Sequence, residues 1–173
     1  MAIARLLFAA LLLIATAQAA SRNCVYTVYV RTGSIIKSGT DAKISLTIGD
    51  SFSEVHVDDL ESWGLMGPDH DYYERGALDI FSGRGRCLAE APCRMNLTSD
   101  ASGEHHGWLC EYVEVTATGP HAQCSQTLFE VHQWLALDAP PFELSALLDG
   151  CGAPLGDRSG RHRVIKNGLA AAI

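Results

Sequence analysis

The chain has 173 residues, 47% of them hydrophobic, with 13 basic and 20 acidic side chains and a formal net charge of −7. That length is enough for one ordinary domain with a real core. The acidic balance argues against a general nucleic-acid surface and suits a soluble protein, or one that holds cations.

Residues 1–19 have the three-part form of an export signal: Arg5, the apolar run Leu6 to Ile14, and small residues at Ala17 and Ala19. The run is too short to span a bilayer comfortably, and a signal anchor is the competing reading. With cleavage before Ala20, one basic and no acidic residue is lost, and the mature charge is −8. The mature chain then reads as strands. Cys24 to Arg31 is rich in Val, Tyr and Thr. Ala42 to Ile48 alternates, with Ile44, Leu46 and Ile48 on one face. Gly49-Asp50 turns the chain into Phe52 to Val57, where Val55 and Val57 oppose Glu54 and His56. A Gly-rich stretch, residues 58–76, precedes further strands at Ala77 to Phe81, Cys93 to Thr98, Trp108 to Thr118 and Gln126 to Leu135. About seven or eight short strands without helix–strand alternation predict an all-β, antiparallel sandwich or barrel over residues 20–152. The polar, basic tail, residues 153–173, is expected to be flexible.

In the run from Trp108 to Val115, Trp108 and Cys110 share one phase while Val113 and Val115 hold the other. A bulge near Glu111-Tyr112 would turn all four inward and leave Cys110 a buried thiol. The six cysteines behind an export signal imply disulfides, and no Cys-x-x-Cys pair suggests zinc. A buried Cys110 leaves at most two intramolecular bridges, and a local Cys87–Cys93 bridge is plausible across a Pro-containing loop. Asn96-Leu97-Thr98 is a glycosylation sequon.

Taken in order, these segments resemble the PLAT (lipoxygenase-homology) domain over roughly residues 24–136. The matching pieces are Tyr26 to Gly33, Gly39-Thr40-Asp41-Ala42, Glu74-Arg75-Gly76 leading to Asp79 and Phe81, Ser102-Gly103 with Trp108, Val113 and Val115, and Phe129 to Leu135. Leu65-Met66-Gly67-Pro68 and His105-His106-Gly107-Trp108 are similar to the small stand-alone plant stress-type proteins of that family. The resemblance implies an eight-stranded antiparallel β-sandwich in the endoplasmic reticulum or outside the cell, linked to abiotic stress tolerance. It carries no catalytic residues.

Several positions admit two readings. Gly39, Thr40 and Asp41, with Asp100, could offer oxygen ligands to calcium, as this loop region does in some relatives; alternatively Asp41 only shapes a turn. No cofactor is otherwise required. Trp63, Leu65 and Met66 form an apolar tip for a lipid surface, or Trp63 folds under its own loop. Glu74, Arg75 and Asp79 suggest an ion pair that ties loop to sheet. Glu104, His105 and His106, with His70 or His121, could hold zinc or form an ordinary polar loop. No nucleophile elbow or phosphate loop supports an enzyme. The expectation is a non-catalytic binding module with a membrane-lipid partner and no nucleic acid; a protein-interaction module or a seed-associated structural protein is the alternative.

Overall fold

A computed structural model of the chain describes residues 23–120, 122–152 and 162–165. The expected leader and most of the expected flexible tail lie outside these residues. Alternation of apolar and polar residues produces strands β1 (Asn23–Thr32), β2 (Ile44–Gly49), β3 (Glu54–Val57), β4 (Leu78–Arg86), β5 (Arg94–Ser99), β6 (Trp108–Gly119), β7 (Ala122–Leu135), β8 (Ser145–Asp149) and β9 (His162–Ile165). All pair antiparallel, in one sheet ordered β4-β1-β6-β7-β9 and a second ordered β3-β2-β5-β8. The first eight strands are the expected sandwich. β9 falls within the tail expected to be flexible, where it pairs with Gln126–Phe129 of β7.

The core lies between the sheets. Tyr26, Val28 and Val30 of β1 meet Ile44, Leu46 and Ile48 of β2, with Phe81, Met95, Leu97, Phe129 and Leu135 around them, all almost fully buried. In β6, Trp108, Cys110, Val113 and Val115 are all buried, and the pairing with β7 shifts between Cys110 and Tyr112. The extra residue flips the phase, which is what four inward side chains at those positions require. Trp108 Nε1 donates to Thr32 Oγ1 at 3.0 Å, so both polar groups are satisfied inside the core.

The register sets which loops share an end. β1 and β5 run out, and β2, β4, β6 and β8 start, at one end; there the loops 33–43, 58–77, 100–107 and 136–144 gather. The opposite end is locked. Cys24 bonds to Cys87 and Cys93 to Cys151. The local Cys87–Cys93 bridge is therefore not formed. Cys87 follows β4, whose pairing with β1 brings it to Cys24, while β5 and β8 bring Cys93 to Cys151. Cys110 is a buried thiol and Cys124 an exposed one.

Asp50 ties this end together. Its side chain is buried, and Oδ1 accepts from the N–H groups of Phe52 (2.8 Å) and Ser53 (2.7 Å). Oδ2 accepts from Ala89 (2.6 Å) and Glu90 (3.0 Å) in the β4–β5 loop. Burial alone would raise its pKa, but these four donors outweigh burial and hold it below the ordinary value of 3.8.

The free thiols and Asp50 each yield a prediction. A thiol reagent will titrate one group per native chain, Cys124, and a second, Cys110, only after unfolding without reductant, because burial also pushes the Cys110 thiol up. For Asp50, the unfolded chain takes up the proton at a higher pH than the folded one. Its stabilisation is complete above the ordinary carboxylate range and fades as pH falls through the lower folded value. Asp50→Asn will cost about 1–3 kcal/mol in urea unfolding at pH 7, and the gap to the wild type will narrow near pH 3.

Candidate functional site

The loops at the open end hold one another through side chain–backbone hydrogen bonds. In the β1–β2 loop, Thr40 is buried; its hydroxyl donates to the His105 carbonyl at 2.7 Å and accepts from the Ala42 N–H at 3.1 Å. Asp41 Oδ2 accepts from the His105 N–H at 3.2 Å and lies 3.1 Å from His105 Nδ1. Asp100 Oδ1 accepts from the N–H groups of Ser102 (2.8 Å) and Lys43 (3.1 Å). Contacts from the Ser102 hydroxyl and N–H keep the Asp100 carboxyl below its ordinary range. Gly103 is required where it stands: its φ is 80°, and a Cβ there would lie 2.7 Å from Asp41 Cβ.

Asp41 and Asp100 are thus brought to one end, each clamping the 100–105 loop. Gly39 packs instead against the backbone of Tyr73 and Arg75. Among the described residues, no group of three or more His, Cys, Asp and Glu side chains is placed to hold a metal. His70 and His105 point into different partners, Asp79 and Asp41, and His106 is exposed. His121 lies outside the described residues.

The 58–77 loop answers the Trp63 question. A single 3-10 turn, Leu60–Trp63, is capped by Asp59, whose carboxylate accepts from the Glu61 N–H at 3.1 Å. It buries Leu60 and lays the Trp63 indole over Gly83 of β4, where any Cβ would collide with the ring. Gly64 then bridges to Phe81, and the Leu65 N–H donates to the Ile80 carbonyl at 2.9 Å. The segment covers the outer edge of β4, which would otherwise offer unpaired backbone groups. Trp63 is half-buried in this role, while Leu65 (60% exposed) and Met66 (41%) project beyond it.

The ion pair expected among Glu74, Arg75 and Asp79 is not formed. Glu74 and Arg75 are exposed, and neither joins an ion pair among the described residues. Tyr73, just before them, is buried and has a φ of 61°. Asp79 is fully buried and accepts instead from His70 Nε2 at 2.6 Å and the Tyr73 N–H at 2.8 Å. His70 was legible only as a candidate metal ligand; its real partner comes from the next strand.

Other exposed apolar side chains share this end. Ile35 and Ile36 (76% exposed) sit in the β1–β2 loop, and Leu137 and Phe142 (58%) in the β7–β8 loop. Phe142 has a φ of 67°, held by its N–H donating to the Ala139 carbonyl at 2.8 Å. A left-handed conformation costs about 1–2 kcal/mol for a residue other than glycine, so the loop spends stability to hold an aromatic ring in solvent.

The family described as Embryo-specific protein 3 (ATS3) matches residues 11–135. The chain is 52% identical over 158 residues to PLAT domain-containing protein 1 of Arabidopsis thaliana, covering 87% of each. It is 60% identical over 104 residues to PLAT domain-containing protein 3 of the same plant, covering 58% of this chain and 100% of that one. Among solved structures, a coral 8R-lipoxygenase, described as calcium-activated through a C2-like domain, superposes on 72% of this chain with a TM-score of 0.57 at 20% identity. The match spans 16% of that enzyme, so it speaks to the fold alone.

The Trp63–Gly83 contact yields a test. Gly83→Ala will lift the indole, costing about 1–3 kcal/mol of stability, and will shift tryptophan emission to longer wavelength in the folded state. An unchanged spectrum and melting curve would mean that the ring does not seal the β4 edge.

Proposed function

The chain belongs to the Embryo-specific protein 3 family and is built on a PLAT domain, and on that premise we propose that it is a non-catalytic module of the secretory pathway that docks on lipid surfaces through its open loop end. The observation that carries this reading is the distribution of exposed apolar side chains. Of the ten large hydrophobics exposed among the described residues, six lie in the loops of that one end: Ile35, Ile36, Leu65, Met66, Leu137 and Phe142. Exposed apolar groups gathered on one surface are what a partner or membrane would cover. Complete burial of one such side chain is worth about 1.5–3 kcal/mol, so partial insertion of several supports reversible docking.

The charges at this end favour calcium assistance. Asp41, Asp69, Asp71, Asp100 and Glu104 stand in the same loops. An anionic headgroup layer would repel them, and a divalent cation shared between carboxylate and lipid phosphate would reverse that repulsion. Asp41 and Asp100 are the proposed protein ligands, with Gly39 and Thr40 shaping the turn that presents Asp41. The stand-alone Arabidopsis relatives support a plant setting; the stress-linked role rests on the family resemblance.

Co-sedimentation with vesicles of phosphatidylcholine and phosphatidylserine tests the reading. Binding is expected in calcium and is expected to weaken in chelator. The double variant Leu65→Ser/Met66→Ser will reduce it about tenfold, the effect of losing roughly 1.4 kcal/mol, without a change in melting temperature. Absence of pelleting in every condition, with the protein folded, would overturn it and favour a protein partner.

A further inference from the structure

The outer face of the second sheet has a hollow at its centre. The register places Thr47 opposite Asn96 and Asn96 opposite Leu147; in the next row Gly49 stands between Glu54 and Arg94. The space beside Gly49 is filled by the Ser53 carbonyl, Arg94 and Glu54, and a depression of about 250 Å³ opens beside the Asn96 amide, lined by the six residues of these two rows. The polar rim is Arg94 Nη2 at 3.9 Å from Glu54 Oε2, and the apolar side is Leu147, 68% exposed. Asn96 is half-buried, and of its two polar atoms only Oδ1 is both buried and without a hydrogen-bond partner. Thr98 stands two residues on, on the same face.

A buried amide oxygen without a partner on an open sheet face is unusual, because such a group normally turns to water or to a neighbour. A flat polar sheet would also not leave Leu147 beside an unfilled space. The hollow beside the exposed Leu147 is accounted for if the face is completed by a covalent group on Asn96, and the sequon Asn96-Leu97-Thr98 provides the means of attaching one. We propose that Asn96 carries an N-linked glycan whose first N-acetylglucosamine sits in this hollow, its apolar ring face against Leu147 and its polar groups toward Arg94 and Glu54.

The attachment is a transfer from a polyprenyl-diphosphate-linked oligosaccharide. The bond from Asn96 Nδ2 to the sugar C1 forms as the C1–oxygen bond to the diphosphate breaks. The amide gives one N–H proton to the transferase, and the lipid diphosphate leaves. Transfer acts on the chain before it folds, so a sequon in a strand is accessible. What the fold must supply is room on the finished face, and the depression beside Asn96 and Leu147 supplies it. A glycan here leaves the middle of a sheet face and keeps clear of the loop end, so the two surfaces are compatible.

The inference rests on the secretory reading, and the experiment separates the two. The full chain would be expressed in yeast with its own N-terminus and, in parallel, with residues 1–19 replaced by an unrelated export signal. A mass loss on endoglycosidase treatment is expected in both forms. It is expected to vanish in Asn96→Gln and Thr98→Ala and to persist in Thr98→Ser. A loss seen only with the foreign signal would refute the native leader and leave the site intact. No loss with either would overturn the glycan. Seating of the first sugar is read from melting temperatures. Protein trimmed to one N-acetylglucosamine should melt about 3 °C above Asn96→Gln and Thr98→Ala, the size of shift that about 1 kcal/mol produces in a chain of this length. Equal melting temperatures for the trimmed and unglycosylated proteins would show that the sugar does not occupy the hollow.

Discussion

The four peptide N–H groups that converge on Asp50 are the constraint from which the rest of the sandwich takes its form. A core of two facing sheets fixes which side chains point inward, but it leaves the strand ends to be tied separately. Asp50 joins the β2–β3 turn in one sheet to the loop that carries the chain from β4 in the other sheet to β5. Beside it, Cys24–Cys87 and Cys93–Cys151 tie the first strand and the last strand of the eight-stranded core to that same loop. Cross-links across separations of 63 and 58 residues remove much conformational freedom from the unfolded chain. With one end closed so firmly, the loops at the other end carry no disulfide among the described residues and are held by hydrogen bonds and by the packing of Leu60, Trp63 and Tyr73.

Much of this was legible in the sequence, for a physical reason. A period-2 pattern with β-branched residues reports directly on a half-buried strand, so β1 is readable as a strand and β2 and β3 with their inward faces. The β6 bulge was readable for the same reason: two phases in one apolar run can share a core only if a residue is added between them. Readings failed where the partner was remote in sequence. Cys87 was assigned to Cys93 on proximity along the chain, yet strand pairing delivers it to Cys24. An ion pair is expected among Glu74, Arg75 and Asp79, yet the partner of Asp79 is His70, nine residues before it in a stretch without periodicity. β8 is only five residues long, and its alternation is too short to separate from a loop. Asp50 was read as a turn residue, which is half of its role; the other half lies 39 and 40 residues away.

The same contrast governs the candidate site. The Trp63–Met66 segment was legible as apolar within a polar loop, and the two readings offered for it divide between its residues. Trp63 takes the structural role because β4 has a glycine where the indole lands and an open edge that needs cover. Leu65 and Met66 remain for the surface because the backbone bond from Leu65 to Ile80 fixes the chain just as it leaves the edge. The indole therefore works as an anchor for the tip, packed over Gly83. A polar substitution at Trp63 would damage fold and surface together, whereas Leu65 and Met66 can be changed without touching the anchor.

The acidic loops set how such a tip could be used. The carboxylates of Asp41 and Asp100 already serve the protein, holding the 100–105 loop against the β1–β2 loop through the His105 and Lys43 N–H groups. A cation drawn to the remaining oxygens would meet a pre-folded pair of loops and would not have to order them, so little conformational entropy opposes binding. The cost it must meet is mainly dehydration and geometry, since the described side chains alone do not assemble a cage. That combination suits a site completed by a ligand's own oxygens, with the ion bound weakly until a phosphate-bearing surface arrives. In the docking mode proposed above, the apolar tips would supply depth of insertion and the carboxylates dependence on the ion, and neither alone accounts for loops that are at once apolar and acidic.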